Sequence, residues 1–210
     1  DTEVILSQIE VLFQRFDISV VKIGVIKSWE SLSIILDKIH SLNSTIKIVL
    51  DPIFKASAGF DFHSNENQNL LDSILGKCFI ITPNYNEIRN LYPKLGIEDT
   101  LEHISSLTNI YLKGGHRTDK KGWDELYHSN IVMLNLPPNI ETIKEKHGSG
   151  CVLSSALSSN IAKEVELEDA ARNTKYYTEV YLNSHDSLLG NHIYPNNTIQ
   201  HTQKTETKSI

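Results

Sequence analysis

CFIITPNYNEIRNL, residues 78–91, changes its period in the middle, and that change decides the fold. Residues 78–82 (CFIIT) are a short apolar, β-branched run of the kind a buried strand needs. Pro83 and Asn84 stop it. Residues 86–91 then follow helical spacing. A strand that hands over to a helix across a polar turn is the repeating unit of a parallel sheet.

The unit recurs outward in both directions. Upstream, residues 46–50 (IKIVL) read as a strand ending at Asp51-Pro52, and residues 65–75 as a weaker helix. Residues 19–25 (SVVKIGV) read as another strand. Ser28 can cap the helix after it, with Trp29, Leu32, Ile35, Leu36 and Ile39 on one face. Val4, Ile5, Ile9, Leu12 and Phe13 recur at helical spacing near the start. Downstream, residues 101–107 read as a helix and residues 109–113 (NIYLK) as a strand ending at Gly114-Gly115-His116. Residues 125–127 and 131–134 read as a hairpin across His128-Ser129-Asn130. Helices are expected over 151–163 and 167–183. The expected architecture is a three-layer α/β/α sandwich around a mostly parallel sheet, with ligands beyond the carboxyl ends of the strands.

Composition narrows the function classes. The chain has 210 residues, 40% of them hydrophobic, which suffices for one substantial core. A formal net charge of −6 offers no global basic field, so nucleic acid is not an expected partner. No apolar run approaches the ~18 residues of a membrane span. Two cysteines, Cys78 and Cys151, make neither a disulfide framework nor a metal-ligand spacing, and they suit a cytoplasmic protein.

The stretch Lys146-His147-Gly148-Ser149-Gly150-Cys151 carries the main chemical signal. Glycines let backbone approach a ligand closely, and a helix start aims unpaired N–H groups and a positive dipole end at the same place. That is an anion site, most often one for phosphate. The alternative is an ordinary tight turn. Cys151 at the helix start is either a small packing residue or a thiol favoured as thiolate. Asn84 and Glu87 are either a helix cap or oxygen donors toward Mg²⁺. Lys113 is a solvated strand end or a phosphate contact. Asp51 is a turn residue or a carboxylate at the mouth of a site. His116 and His147 read first as loop residues. GxxxxGK[ST] and HExxH are both absent, which excludes a P-loop nucleotide enzyme and a zincin.

Taken together, IVLDPIFKASAG (48–59), ITPNYNEI (81–88), YLKGGH (111–116) and HGSGCVLSSAL (147–157) resemble hydroxymethylpyrimidine/phosphomethylpyrimidine kinase. This is the thiamine-pathway member of the ribokinase-like superfamily. The resemblance covers residues 19–191, with the motifs in the family's order. Cysteine after Gly-Ser-Gly is its most specific element, shared with some vitamin B6 kinases.

The resemblance implies roles. Gly148, Ser149 and Gly150 would form the anion hole for the transferring phosphoryl group. Cys151 would act as base or orient the substrate hydroxyl. Lys113, Asn84, Gly114 and His147 would contact ATP. Asp51 and Glu87 would serve Mg²⁺. Gly24 and Val25, in KIGVI (22–26), would touch the pyrimidine, although the family often has Met where Val25 stands. Such an enzyme would phosphorylate the hydroxymethyl group of 4-amino-5-hydroxymethyl-2-methylpyrimidine and then its monophosphate, with a homodimer as a partner state known in relatives.

The alternatives are a vitamin B6 kinase, a non-catalytic nucleotide-binding relative and, resting on Cys151 alone, a thiol enzyme. The family's glycine-rich opening segment has no counterpart here. The expectation is therefore an N-terminally incomplete kinase domain over 1–194, with a complete ATP half, followed by a polar tail over 195–210.

Overall fold

The computed structural model describes residues 1–53, 67–115, 117, 119–140 and 143–193. The first part alternates strictly: α1 (Thr2–Arg15), β1 (Val20–Ile23), α2 (Trp29–Leu42), β2 (Lys47–Leu50), α3 (Gln68–Leu75), β3 (Ile80–Ile81), α4 (Tyr85–Leu91), α5 (Ile97–Leu107) and β4 (Asn109–Leu112). A hairpin of β5 (Asp124–His128) and β6 (Ile131–Leu136) follows, then α6 (Ser149–Ala162) and α7 (Leu167–Asn183).

The six strands lie in the sheet in chain order, β1 to β6. The pairs from β1 to β4 are parallel, and β5 and β6 add on antiparallel. A monotone order of parallel strands, connected with the usual right hand, sends the connecting helices to one face. Side chains alternate across that sheet. Ile48, Leu50, Ile81, Ile110 and Leu112 pack with α2 to α5. Val49, Ile80 and Tyr111 point the other way, onto Leu153 and Leu157 of α6 and Ala170 and Ala171 of α7. The result is the expected α/β/α sandwich.

Most elements lie where the pattern places them, within a residue or two at their ends. Ser28 caps α2 by accepting from the Ser31 N–H at 3.2 Å, and all five expected apolar residues of α2 are buried. Three expectations shift. In α1 the inward stripe is Leu6, Ile9 and Phe13, spaced three and four apart. Val4 and Leu12 instead point outward, at 52% and 47% exposed. The hairpin turn has two residues, not three: Ser129 and Asn130 both take left-handed φ, 47° and 64°, and His128 belongs to β5. Such a turn matches the twist of the flanking strands. α5 begins earlier than expected, at Ile97, with Glu98 and Asp99 favourably placed in its first turn. Residues 54–59 of the IVLDPIFKASAG motif, His116 and the expected tail lie outside the described residues, as does the first part of the expected 65–75 helix.

Candidate active site

Three consecutive parallel strands deliver polar residues to one end of the sheet. Asp51 follows β2, Thr82-Pro83-Asn84 follows β3 and Lys113 follows β4. The turn after β3 is held to the end of β4, where the Lys113 N–H donates to the Pro83 carbonyl at 2.9 Å. Asp51 is only 1% exposed, and its carboxylate is well supplied with donors. Lys113 Nζ donates to Oδ1 at 3.0 Å, Thr82 Oγ1 to Oδ1 at 3.2 Å, and Ser154 Oγ to Oδ2 at 3.2 Å. A buried carboxylate needs such an arrangement, because an unpaired one would not remain charged in the interior.

Glu87 flanks the same ammonium. Its Oε2 lies 3.5 Å from Lys113 Nζ and accepts the Asn84 N–H at 2.7 Å. Asn84 Oδ1 in turn accepts from the N–H groups of Asn86 and Glu87, both at 2.9 Å. This is a capping box, so the capping alternative for Asn84 and Glu87 is realised. The same geometry also places both residues on the wall of a cavity. Burial pushes the Glu87 carboxyl above its usual range, and Lys113 and the Asn84 N–H only partly offset this. Burial alone would lower Lys113, but Asp51 and Glu87 outweigh it and hold the ammonium above its ordinary value.

Opposite stands the start of α6. Gly148 takes φ of 75°, a left-handed conformation that costs glycine nothing, and no side chain caps the helix. The first N–H groups of α6 therefore keep their donor capacity toward a ligand. Gly150 lies close to the buried pair: a Cβ placed on it would come within 3.4 Å of Lys113 Nζ and 3.9 Å of Asp51 Oδ2. Cys151 is exposed beside them, whereas Cys78 is buried under α3.

These groups share one cavity of ≈ 320 Å³, at the small end for ligand pockets. Asp51, Asn84, Glu87, Lys113, Gly148, Ser149, Gly150 and Cys151 all line it. Four other expected residues do not. Gly114 lies behind the wall, and its neighbour Gly115 takes the lining position. Gly114 must be glycine because a Cβ would fall 1.7 Å from the Trp123 carbonyl oxygen. Gly24 borders Ile53, a lining residue, and Val25 is 55% exposed.

His147 serves through its backbone: its N–H donates to the Leu188 carbonyl at 2.9 Å, and its own carbonyl accepts the Tyr181 hydroxyl at 3.4 Å. The Leu188 contact belongs to a strap, residues 184–193, lying behind the glycine loop. Lys146, 7% exposed, donates to the His185 carbonyl at 2.6 Å, and Gly190 packs on the Tyr181 ring.

Sequence reasoning missed Ser154 and a second buried charge cluster. Lys175 and Glu179 stand four apart on α7, 3.1 Å from each other, and Lys175 also meets Asp124 at 3.2 Å and the Gly122 carbonyl at 2.7 Å. Asp124 receives the Tyr111 hydroxyl at 2.8 Å and the Gly114 N–H at 2.7 Å. Asp124, Lys175 and Glu179 line the same cavity. They share the buried face of α7 with Ala170, Ala171, Thr174 and Thr178.

Among the described residues no group of three His, Cys, Asp or Glu is placed to hold a metal ion. Asp51 and Glu87 instead face each other across Lys113. Two carboxylates and no closed cage fit a magnesium ion that arrives on a phosphate and keeps part of its water shell.

A three-layer α/β/α fold with an anion-binding helix start facing a lysine and two carboxylates defines a ribokinase-like phosphotransferase. The chain belongs to the phosphomethylpyrimidine kinase family, whose model matches residues 1–197. It is 30% identical over 191 residues to the hydroxymethylpyrimidine/phosphomethylpyrimidine kinase of Aquifex aeolicus, covering 87% of this chain and 74% of that one. Among solved structures, phosphomethylpyrimidine kinase from Clostridium difficile is 27% identical with a TM-score of 0.64, over 85% of this chain and 75% of that chain. Bacillus subtilis pyridoxal kinase, solved as an ADP complex, shares the fold at a TM-score of 0.70 and 22% identity, over 94% of this chain and 73% of that one. Among the described residues no helix is long and apolar enough to cross a membrane.

Proposed function

We propose that the chain transfers the γ-phosphoryl group of ATP to the hydroxymethyl group of 4-amino-5-hydroxymethyl-2-methylpyrimidine, and then to the resulting monophosphate. One observation carries the reading: the uncapped start of α6 and the Lys113–Asp51–Glu87 cluster converge on one cavity. Phosphoryl transfer needs charge stabilisation and in-line positioning more than covalent chemistry, and this arrangement supplies both.

The N–H groups of Ser149, Gly150 and Cys151 take the charge on the transferring group. Lys113 contacts the nucleotide phosphates. Asp51 and Glu87 would hold Mg²⁺, which would supply neutralisation of charge on the phosphates. The Cys151 sulfur, as thiolate, accepts the proton of the attacking hydroxyl as the new O–P bond forms and the bond from the γ-phosphorus to the departing ADP oxygen breaks. We assign the kinase domain to residues 1–194.

The test is incubation with Mg-ATP and, in parallel, the pyrimidine alcohol, its monophosphate and pyridoxal, with products identified by mass spectrometry. Pyrimidine mono- and diphosphate are expected. Pyridoxal phosphate as the main product would favour the vitamin B6 kinase reading, to which the Bacillus subtilis neighbour gives a fold-level motive. Nucleotide binding without any product from a folded chain would favour a non-catalytic relative.

A further inference from the structure

Lys113 stands where a cation shared by Asp51 and Glu87 would stand. Its Nζ lies 3.0 Å from Asp51 Oδ1 and 3.5 Å from Glu87 Oε2, and its side chain is 13% exposed. Both oxygens of Asp51 are engaged, since Oδ1 also accepts from Thr82 and Oδ2 accepts from Ser154. Glu87 Oε2 accepts the Asn84 N–H as well. A magnesium ion binds carboxylate oxygens at about 2.0–2.1 Å. Placed between these two carboxylates, it would need the space that the ammonium fills.

Charge decides when that place can change hands. Two carboxylates and one ammonium leave the cluster with one net negative charge. A divalent ion beside the ammonium would reverse that sign and set two cations against each other in a site poor in water. Phosphate oxygens remove the conflict by supplying negative charge of their own. They would also arrive next to Nζ. The Cβ that Gly150 lacks would lie 3.4 Å from Lys113 Nζ, so the ammonium borders the start of α6, whose N–H groups suit a phosphate.

We infer that the Lys113 ammonium is a stand-in for the divalent ion: it fills the place between Asp51 and Glu87 in the free protein and moves onto the phosphates when a nucleotide binds. The inference rests on the nucleotide reading above and deepens it, because it fixes the order of entry. The metal ion enters with the nucleotide and not ahead of it. In the free protein the same lysine keeps the buried Asp51 carboxylate compensated, which an empty metal site would not do.

The experiment is Mn²⁺ titration of the intact chain without nucleotide, with the free ion read by electron paramagnetic resonance. Mn²⁺ takes the same carboxylate and water oxygens as Mg²⁺. The unaltered protein should leave it free up to about 1 mM, the weak limit of oxygen-ligand sites. Lys113→Met should take up one Mn²⁺ at least about tenfold more tightly, and adding Asp51→Asn should abolish that uptake. A lysine with a merely structural role would give the variant no new metal site. Melting of the unaltered protein gives a second reading that needs no variant. Against KCl of equal ionic strength, about 10 mM Mg²⁺ alone should leave the melting temperature unchanged, whereas Mg-ATP should raise it. Mn²⁺ uptake by the unaltered protein as tight as by Lys113→Met, no gain in that variant, or a melting shift with Mg²⁺ alone overturns the inference while leaving the nucleotide reading intact. No shift with Mg-ATP overturns both.

Discussion

Replacing Lys113 by Met removes the ammonium from between Asp51 and Glu87 while keeping most of the side-chain volume. Asp51 suffers most, since it is 1% exposed and would retain only the hydroxyls of Thr82 and Ser154. At the observed 3.0 Å, two unit charges in a medium of effective dielectric constant about 20 attract by roughly 5 kcal/mol. The lysine's own desolvation cost disappears with it and offsets part of this. The net loss should be about 3 kcal/mol, the lower end for breaking a buried pair from one side. In a chain of this length that lowers the melting temperature by about 6–12 °C.

Urea unfolding and thermal melts at neutral pH would measure it. Asp51→Asn combined with Lys113→Met should recover stability to within about 1 kcal/mol of the unaltered protein, since no unpaired buried charge remains. The folded-state pKa of Lys113 lies above its ordinary 10.5, so its contribution is fully present below that value and fades only as pH rises through the folded value. The gap between Lys113→Met and the unaltered protein should therefore stay constant from neutral pH to about 9. A single variant within about 0.5 kcal/mol of the unaltered protein, the range of ordinary surface changes, would refute the reasoning.

Other consequences can be checked alongside. Cys151→Ala should reduce turnover at least about a hundredfold with ATP affinity nearly unchanged, as befits a general base, and lost affinity with intact chemistry would contradict that role. Gly114→Ala drives a Cβ into the Trp123 backbone and should cost more than about 3 kcal/mol; soluble, fully stable variant protein would be the contrary result. Native iodoacetamide labelling at mildly alkaline pH should modify exposed Cys151 and spare Cys78, whose thiol burial pushes up to about 12; peptide mass spectrometry reads the outcome. Stability should decline above pH 9. Cys78 rises from 9.0 and Tyr85 from 10.0, both to about 12, so the stabilisation present below the ordinary values is lost as pH climbs through the raised ones. A melting temperature unchanged from pH 8 to 11 would count against this.

The sheet was legible because its strands are nearly pure apolar runs, each closed by a polar turn, so Asp51, Asn84 and Lys113 could be placed at one end without coordinates. The capping box was legible as one of two readings, and the structure realises it while placing both side chains on the cavity wall. The outward face of α1 was not legible. Val4 and Leu12 satisfy helical spacing as well as Leu6 and Phe13 do, and only packing against α2 chooses between stripes. Lys175 and Glu179 were hidden for a different reason. A Lys–Glu pair four apart on a helix usually marks a solvated face, and nothing local shows that α7 turns this one inward onto Asp124. Ser154 gave no signal, since its partner Asp51 lies 103 positions away.

The strap behind the glycine loop bears on how the protein is made. The six strands among the described residues precede Lys146 in the chain, so this sheet and its row of polar ends can emerge from the ribosome and assemble first. The segment that secures Lys146 and His147 arrives later: His185 is 39 positions beyond Lys146, about 2–8 s of synthesis. Over that interval the nascent chain has these strands but an unbraced glycine loop. Bracing of the glycine loop by residues 184–193 therefore follows the sheet in the order of synthesis.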